Sequence, residues 1–169
     1  LGACRAGHRA PLDHRMYPVG AECGDDPLRG CDPEATAGEA GVTHAHTGDF
    51  WGLADEGPIT IHGSAMHMHT RGTTGSLSIQ RSDGGDDCLL NIPVWDRDWQ
   101  FQHVLTEARE FRPGDQLTIS CTWDNLQGKQ PTPWMPLMDV YWGDLGLDEM
   151  CLGILFVSFP AESEPSETQ

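Results

Sequence analysis

The sequence predicts an all-β protein: an antiparallel β-sandwich preceded by an irregular, cysteine-containing segment. Three observations carry this. Several short stretches alternate apolar and polar residues, the period of a half-buried strand. Clusters of Gly, Pro and Asp stand between them as turn signals, as in Ser82-Asp83-Gly84-Gly85 and Arg112-Pro113-Gly114-Asp115. No window carries an apolar helical stripe of useful length. Many short strands joined by tight turns are best satisfied by two antiparallel sheets packed face to face.

Taken in order, residues 1–47 are rich in Gly, Pro, Asp and Ala without sustained periodicity, and read as a loop-dominated N-terminal segment or linker. Cys23 and Cys31 flank the acidic turn Gly24-Asp25-Asp26-Pro27 and could close a small loop. The sandwich is expected over 48–160. Pro58 to His69 alternates, and so does Gly75 to Arg81. Cys88 to Ile92 is a short apolar run, followed by two pieces, Phe101 to Leu105 and Glu107 to Phe111. The Arg112–Asp115 turn delivers Gln116 to Trp123, another alternating strand. Leu152 to Phe159 is apolar and of strand length, and reads as a buried strand. The segment Trp95-Asp96-Arg97-Asp98-Trp99-Gln100 reads as sandwich packing rather than a ligand platform. Residues 161–169 are polar and acidic and are expected to be disordered. There is no internal repeat.

Bulk properties exclude some classes of function. A net charge of −16 argues against nucleic acid and against anionic membrane surfaces. No apolar run is long enough to span a bilayer. Six cysteines without a CxxC pair read as disulfides, so the expected location is extracytoplasmic: periplasm, cell surface or secreted. Leu1-Gly2-Ala3-Cys4 resembles the end of a bacterial lipoprotein signal, a match that a structural cysteine explains equally well.

The chemistry centres on two distant fragments, His67-Met68-His69 and Asp148-Glu149-Met150-Cys151. Histidines at i and i+2 on a strand present both imidazoles to one face. A thioether from Met150 would complete a soft, neutral ligand set, which suits copper, and Cu(I) above all, better than zinc, magnesium or calcium. Alone, the pair is equally two surface histidines on a half-exposed strand. Met66 and Met68 point to the opposite face and read as packing. Cys151 can fix the Met150 strand by a disulfide, and Cys121, at a strand end, is its natural partner. His44 and His46 form a second pair and a minor candidate for a second metal site. His8, His14, His62 and His103 are scattered.

The ordered set His67-Met68-His69-Thr70-Arg71-Gly72, Trp99-Gln100, Arg112-Pro113-Gly114-Asp115, Cys121-Thr122-Trp123-Asp124-Asn125, Trp142-Gly143 and Asp148-Glu149-Met150-Cys151 resembles the C-terminal domain of the copper type II, ascorbate-dependent monooxygenases. That family includes dopamine beta-hydroxylase and peptidylglycine alpha-hydroxylating monooxygenase. The bacterial branch looks closest, from Cys88-Leu89-Leu90-Asn91-Ile92-Pro93 followed by Trp95-Asp96. The resemblance covers about residues 58 to 158. It implies a jelly-roll-like β-sandwich. It implies that His67, His69 and Met150 are the catalytic ligands of the copper where O2 binds and a substrate C–H bond is hydroxylated. Ascorbate would be the reductant, and Cys121 and Cys151 would form a disulfide.

Two departures limit the carry-over. Family enzymes hold a second copper, ligated by three histidines, in an N-terminal domain, for which residues 1–57 are too short. The expectation is therefore a fragment, a chain that works with a separate copper domain, or an incomplete monooxygenase. The peptide-amidating branch grips a carboxylate with an Arg and with Asn and Tyr where this chain has Ala65, Leu152 and Ile154. A carboxylate there would find neither cation nor donor, so peptidylglycine is disfavoured among small-molecule substrates. The leading expectation is an O2-dependent hydroxylase domain. The alternatives are a non-catalytic extracytoplasmic copper-binding protein and a sandwich with vestigial ligands. The pairing of Cys4, Cys23, Cys31 and Cys88 stays open among three possibilities.

Overall fold

The computed structural model describes residues 15–20, 35–49 and 57–159. Eight strands run in order: β1 (Arg15–Gly20), β2 (Val42–Gly48), β3 (Ile59–His67), β4 (Gly72–Gln80), β5 (Asp86–Ile92), β6 (His103–Phe111), β7 (Gln116–Trp123) and β8 (Leu152–Ser158). They form two four-stranded sheets, β1-β8-β3-β6 and β2-β7-β4-β5. Every pairing between these strands is antiparallel. One apolar cluster, including Ile61, Met68 and Leu155 of the first sheet side and Leu77, Ile119 and Trp123 of the second, fills the space between them. The protein is an all-β sandwich. No helix among the described residues is long and apolar enough to cross a membrane.

Local chemistry explains the turns. Gly84 and Gly85, at φ 93° and 101°, supply the left-handed conformation that closes the β4–β5 hairpin. Phe101–Leu105 and Glu107–Phe111, read separately from sequence, merge into one strand beginning at His103. Leu152 to Phe159 is half-buried rather than buried: alternate residues face inward, and Phe159 is exposed.

Two strands form inside the stretch expected to be loop-dominated. β1 joins the edge beside β8, and β2 joins the edge beside β7, crossing residue 48. β2 is mostly exposed, so it shows no apolar alternation. Its order comes from pairing with β7, reinforced by Thr43–Thr122 and Thr47–Thr118 hydroxyl contacts of 2.8 Å each. Cys121 and Cys151 form a disulfide with Cα atoms 5.8 Å apart, tying the end of β7 to the residue before β8, and so one sheet to the other. Cys88 is also disulfide-bonded. Cys4, Cys23, Cys31, the Leu1–Cys4 motif and the 161–169 tail lie outside the described residues.

A bulge in β3 decides which face carries the histidines. Ile59 and Ile61 face inward, but register shifts between Ile61 and Gly63 against both neighbours, and afterwards Ser64 and Met66 face inward. Without that shift, alternation would carry His67 into the core and Met66 out. Gly63 permits it: a Cβ there would lie 2.7 Å from the His103 carbonyl oxygen. The buried Ser64 hydroxyl then donates to the Leu89 carbonyl at 3.1 Å. Leu89 is itself the extra residue of a bulge in β5, where Leu77 pairs Leu90 and Ser78 pairs Cys88. The two bulges thus lock each other across the sheets. Met66 and Met68 pack against Gly75 of β4, where any side chain would collide with the Met66 sulfur. Their expected packing role holds, at 3% and 0% exposure.

Candidate metal centre

His67 ends β3, opposite Leu152 of β8, and His69 follows just beyond the strand. The two rings stand nearly perpendicular, with centroids 5.1 Å apart. Each imidazole is oriented through Nδ1. Gln100 Nε2 donates to the Arg97 carbonyl at 2.6 Å, which turns Oε1 toward His67. Oε1 can only accept, so His67 Nδ1–H is the donor, at 2.6 Å. His69 Nδ1–H likewise donates to the Asp148 carbonyl at 2.9 Å. The neutral form of each ring therefore has its lone pair on Nε2, the arrangement of metal-binding imidazoles.

Glu149 joins the two fragments. Its side chain is fully buried. One oxygen accepts His69 N–H at 2.8 Å and the Trp123 indole N–H at 3.1 Å. The other accepts Arg71 N–H at 2.7 Å. Its own backbone is bracketed by Tyr141 and Gly143. The residues flanking Met150 are thus fixed, Glu149 by these bonds and Cys151 by its disulfide. Met150 itself is nearly buried, at 9% exposure. Trp95 Nε1–H closes the other side, donating to the His69 carbonyl at 3.0 Å.

The charge balance follows from burial. Burial pushes the Glu149 carboxyl above the usual carboxylate range, although the Arg71 and His69 N–H groups and nearby positive charge pull it down. Burial lowers the Arg71 guanidinium, against the attraction of Glu149 and Asp148. Arg71 Nη1 is 3.9 Å from Glu149, so the two are neighbours more than a tight pair. Arg71 donates instead to the Leu147 carbonyl at 2.9 Å and to Gln130 Oε1 at 2.8 Å. Gln130 donates to Asn125 Oδ1 at 2.9 Å, and Asn125 to the Met138 carbonyl at 2.8 Å. This buried polar chain anchors the long connection between β7 and β8 under the histidines.

Other residues singled out from sequence fall elsewhere. His44, half-buried, meets Trp123 edge-on at 5.5 Å, and His46 is exposed. His62 Nε2 contacts the Ser158 hydroxyl at 2.8 Å. Among the described residues, no group of three or more His, Cys, Asp or Glu is arranged to hold a metal. A set of two imidazoles and a thioether would be of a different kind. The 95–100 segment corrects one expectation. Trp95 packs in the core, but Trp99 is 69% exposed and belongs to the surface. Gln100, Arg71 and Glu149 stood in the sequence only as motif letters, because nothing in their local pattern signals the hydrogen bonds they make.

Two imidazoles and a thioether would suit a soft monovalent copper ion, and the chain is fixed on both sides of Met150, by the Glu149 bonds and by the Cys151 disulfide. The sequence model of one family, the copper type II ascorbate-dependent monooxygenase C-terminal domain, matches residues 51–162. A comparison with curated proteins found no match.

Proposed function

The chain belongs to the copper type II ascorbate-dependent monooxygenase family, through its C-terminal domain, and from that premise we propose that His67, His69 and Met150 hold a copper at which a substrate C–H bond is hydroxylated. The observation that carries this reading is the Nδ1 engagement of both histidines, by Gln100 and by the Asp148 carbonyl. Bound there, copper would supply the one-electron and O2 chemistry, with an ascorbate-type reductant. A second copper domain, separate from the described residues, would complete the electron supply. The Cys121–Cys151 disulfide supports an extracytoplasmic setting.

The chain's own groups do the positioning. Gln100 and Asp148 hold both rings in one tautomer, so Nε2 offers a lone pair without proton rearrangement. Glu149 fixes the His69 main chain and the residue before Met150 with a single carboxylate. Cys151 turns inward to Cys121, and alternation sends Leu152 and Ile154 to the outer face with His67 and Ala65. A substrate beside His67 therefore meets uncharged aliphatic groups. These three side chains offer a carboxylate neither a cation nor a hydrogen-bond donor. The preferred substrate presents an uncharged C–H-bearing group, and peptidylglycine stays disfavoured.

Replacing Met150 with Ala tests the ligand set. Cu(I) affinity is expected to fall by at least roughly tenfold, and more than Cu(II) affinity. Equal loss of both ions would count against a thioether ligand. Oxygen consumption by the protein with copper and ascorbate, in the presence of the partner copper domain, tests the activity itself. A domain that binds Cu(I) through Met150 yet consumes no oxygen would be a copper-binding protein and not a monooxygenase.

A further inference from the structure

Strand β5 is the outer strand of one sheet and β6 the outer strand of the other. Between them opens a cavity of about 410 Å³. Buried Leu89 and Leu90 line it from β5, and Val104 and Leu105 from β6. Val94 and Trp99, 79% and 69% exposed, form its mouth. Large apolar groups left in water at the rim of a concave site usually have a partner. Trp99 meets Phe101 edge-on, centroids 5.4 Å apart. Asp96 is the one carboxylate in the lining. Its Oδ1 accepts Asp98 N–H at 2.9 Å, and its Oδ2 has no hydrogen-bond partner among the described residues. The size, the apolar walls and the few polar side chains in the lining, Asn91, His103 and the carboxylate Asp96, are those of a small-molecule site, not of a macromolecular surface.

We propose that this cavity binds a small, largely apolar molecule with one hydrogen-bond-donating head, the head on Asp96 and the body against Trp99. The cavity touches the candidate copper site through one covalent step. Trp99 precedes Gln100, whose Oε1 holds His67 Nδ1–H. A ligand that moves Trp99 also moves that acceptor, so His67 senses occupancy. The binding itself needs no copper and stands apart from the proposed activity.

The test is an NMR titration of the metal-free full chain with 4-phenylbutan-1-ol as probe. Methyl groups of Leu90, Val94, Val104 and Leu105 and the Trp99 indole are expected to shift saturably, together with the His67 ring nitrogens. Trp99→Ala should weaken binding by roughly tenfold. Butylbenzene, which lacks the donor, should bind several-fold more weakly than the alcohol, and Asp96→Ala should remove that difference. In Gln100→Ala the methyl shifts should persist while the His67 response disappears. Shifts that never saturate, or affinity unchanged in Trp99→Ala, would overturn the site. An equal affinity for alcohol and hydrocarbon in the unaltered protein would overturn the role of Asp96. A His67 signal that stays still at saturation would overturn the link to the metal ligands.

Discussion

Strand β4 has an arginine just outside each end, Arg71 before Gly72 and Arg81 after Gln80, and each meets a buried carboxylate. The two ends use the same residue types in opposite ways. At the far end, Asp115 takes Arg81 Nη1–H at 2.7 Å, Arg112 N–H at 3.1 Å and Ser82 N–H at 3.1 Å. Burial works against its charge, but these donors win and hold the carboxyl below its ordinary range. Arg81, despite its own burial, is held above its ordinary value by Asp87 and Asp115. That end is a clasp joining two turns. At the histidine end, desolvation wins for both partners: Glu149 rises and Arg71 falls. There the carboxylate serves main-chain and indole N–H groups, so the cluster fixes geometry more than it pairs charge. The difference separates a device for stability from one that holds two distant fragments in register.

Glu149→Ala should have the largest effect. It removes the negative charge beside buried Arg71 and leaves three N–H groups without their acceptor in a dry interior, and should cost about 3–5 kcal/mol in urea unfolding. Cu(I) binding should be lost with it. A loss below about 1 kcal/mol would mean the cluster does not hold the fragments together.

Asp115→Asn should cost less, about 1–3 kcal/mol at neutral pH, with copper binding unchanged. Its pH dependence sharpens the contrast. A carboxyl lowered by folding contributes stability that is present above its unfolded value and lost as pH falls through the folded one. The gap between the unaltered protein and Asp115→Asn should therefore close below roughly pH 4. Glu149 carries the opposite sign. Its raised value means its contribution is most favourable below the unfolded value and is lost as pH rises through the folded one. Glu149→Gln should remove that opposite slope. Urea unfolding across pH compares the two directly, and slopes of one sign would erase the distinction.

The smallest effect on stability is expected from Gln100→Ala. Gln100 is exposed, so the thermal midpoint should not move, yet copper affinity should drop about 10–100-fold as His67 loses its orientation. A shifted midpoint with unchanged affinity would make Gln100 a structural residue only.

Much of this was legible in the letters. Strands β4, β7 and β8 alternate because one face of each packs on a common core, and Met66 and Met68 were separable from the histidines by parity alone. β1 and β2 were not legible, since an edge strand such as β2 buries little and owes its order to its neighbour's hydrogen bonds. Parity also says nothing about the bulge at Gly63, which sets which parity faces out and depends on the close approach of His103. Glu149 stands in the sequence only as a letter of the Asp148–Cys151 fragment. Its three N–H donors come from residues 26 and nearly 80 positions away, which no local pattern records.

On the proposed reading, two imidazoles and the Met150 thioether share one copper. X-ray absorption at the copper edge of the Cu(I)-loaded protein reads the donor atoms directly. Two nitrogen donors and one sulfur donor are expected, with the sulfur gone in Met150→Ala and both nitrogens kept. A copper with no sulfur neighbour in the unaltered protein, or one whose sulfur survives Met150→Ala, would rule Met150 out as a ligand.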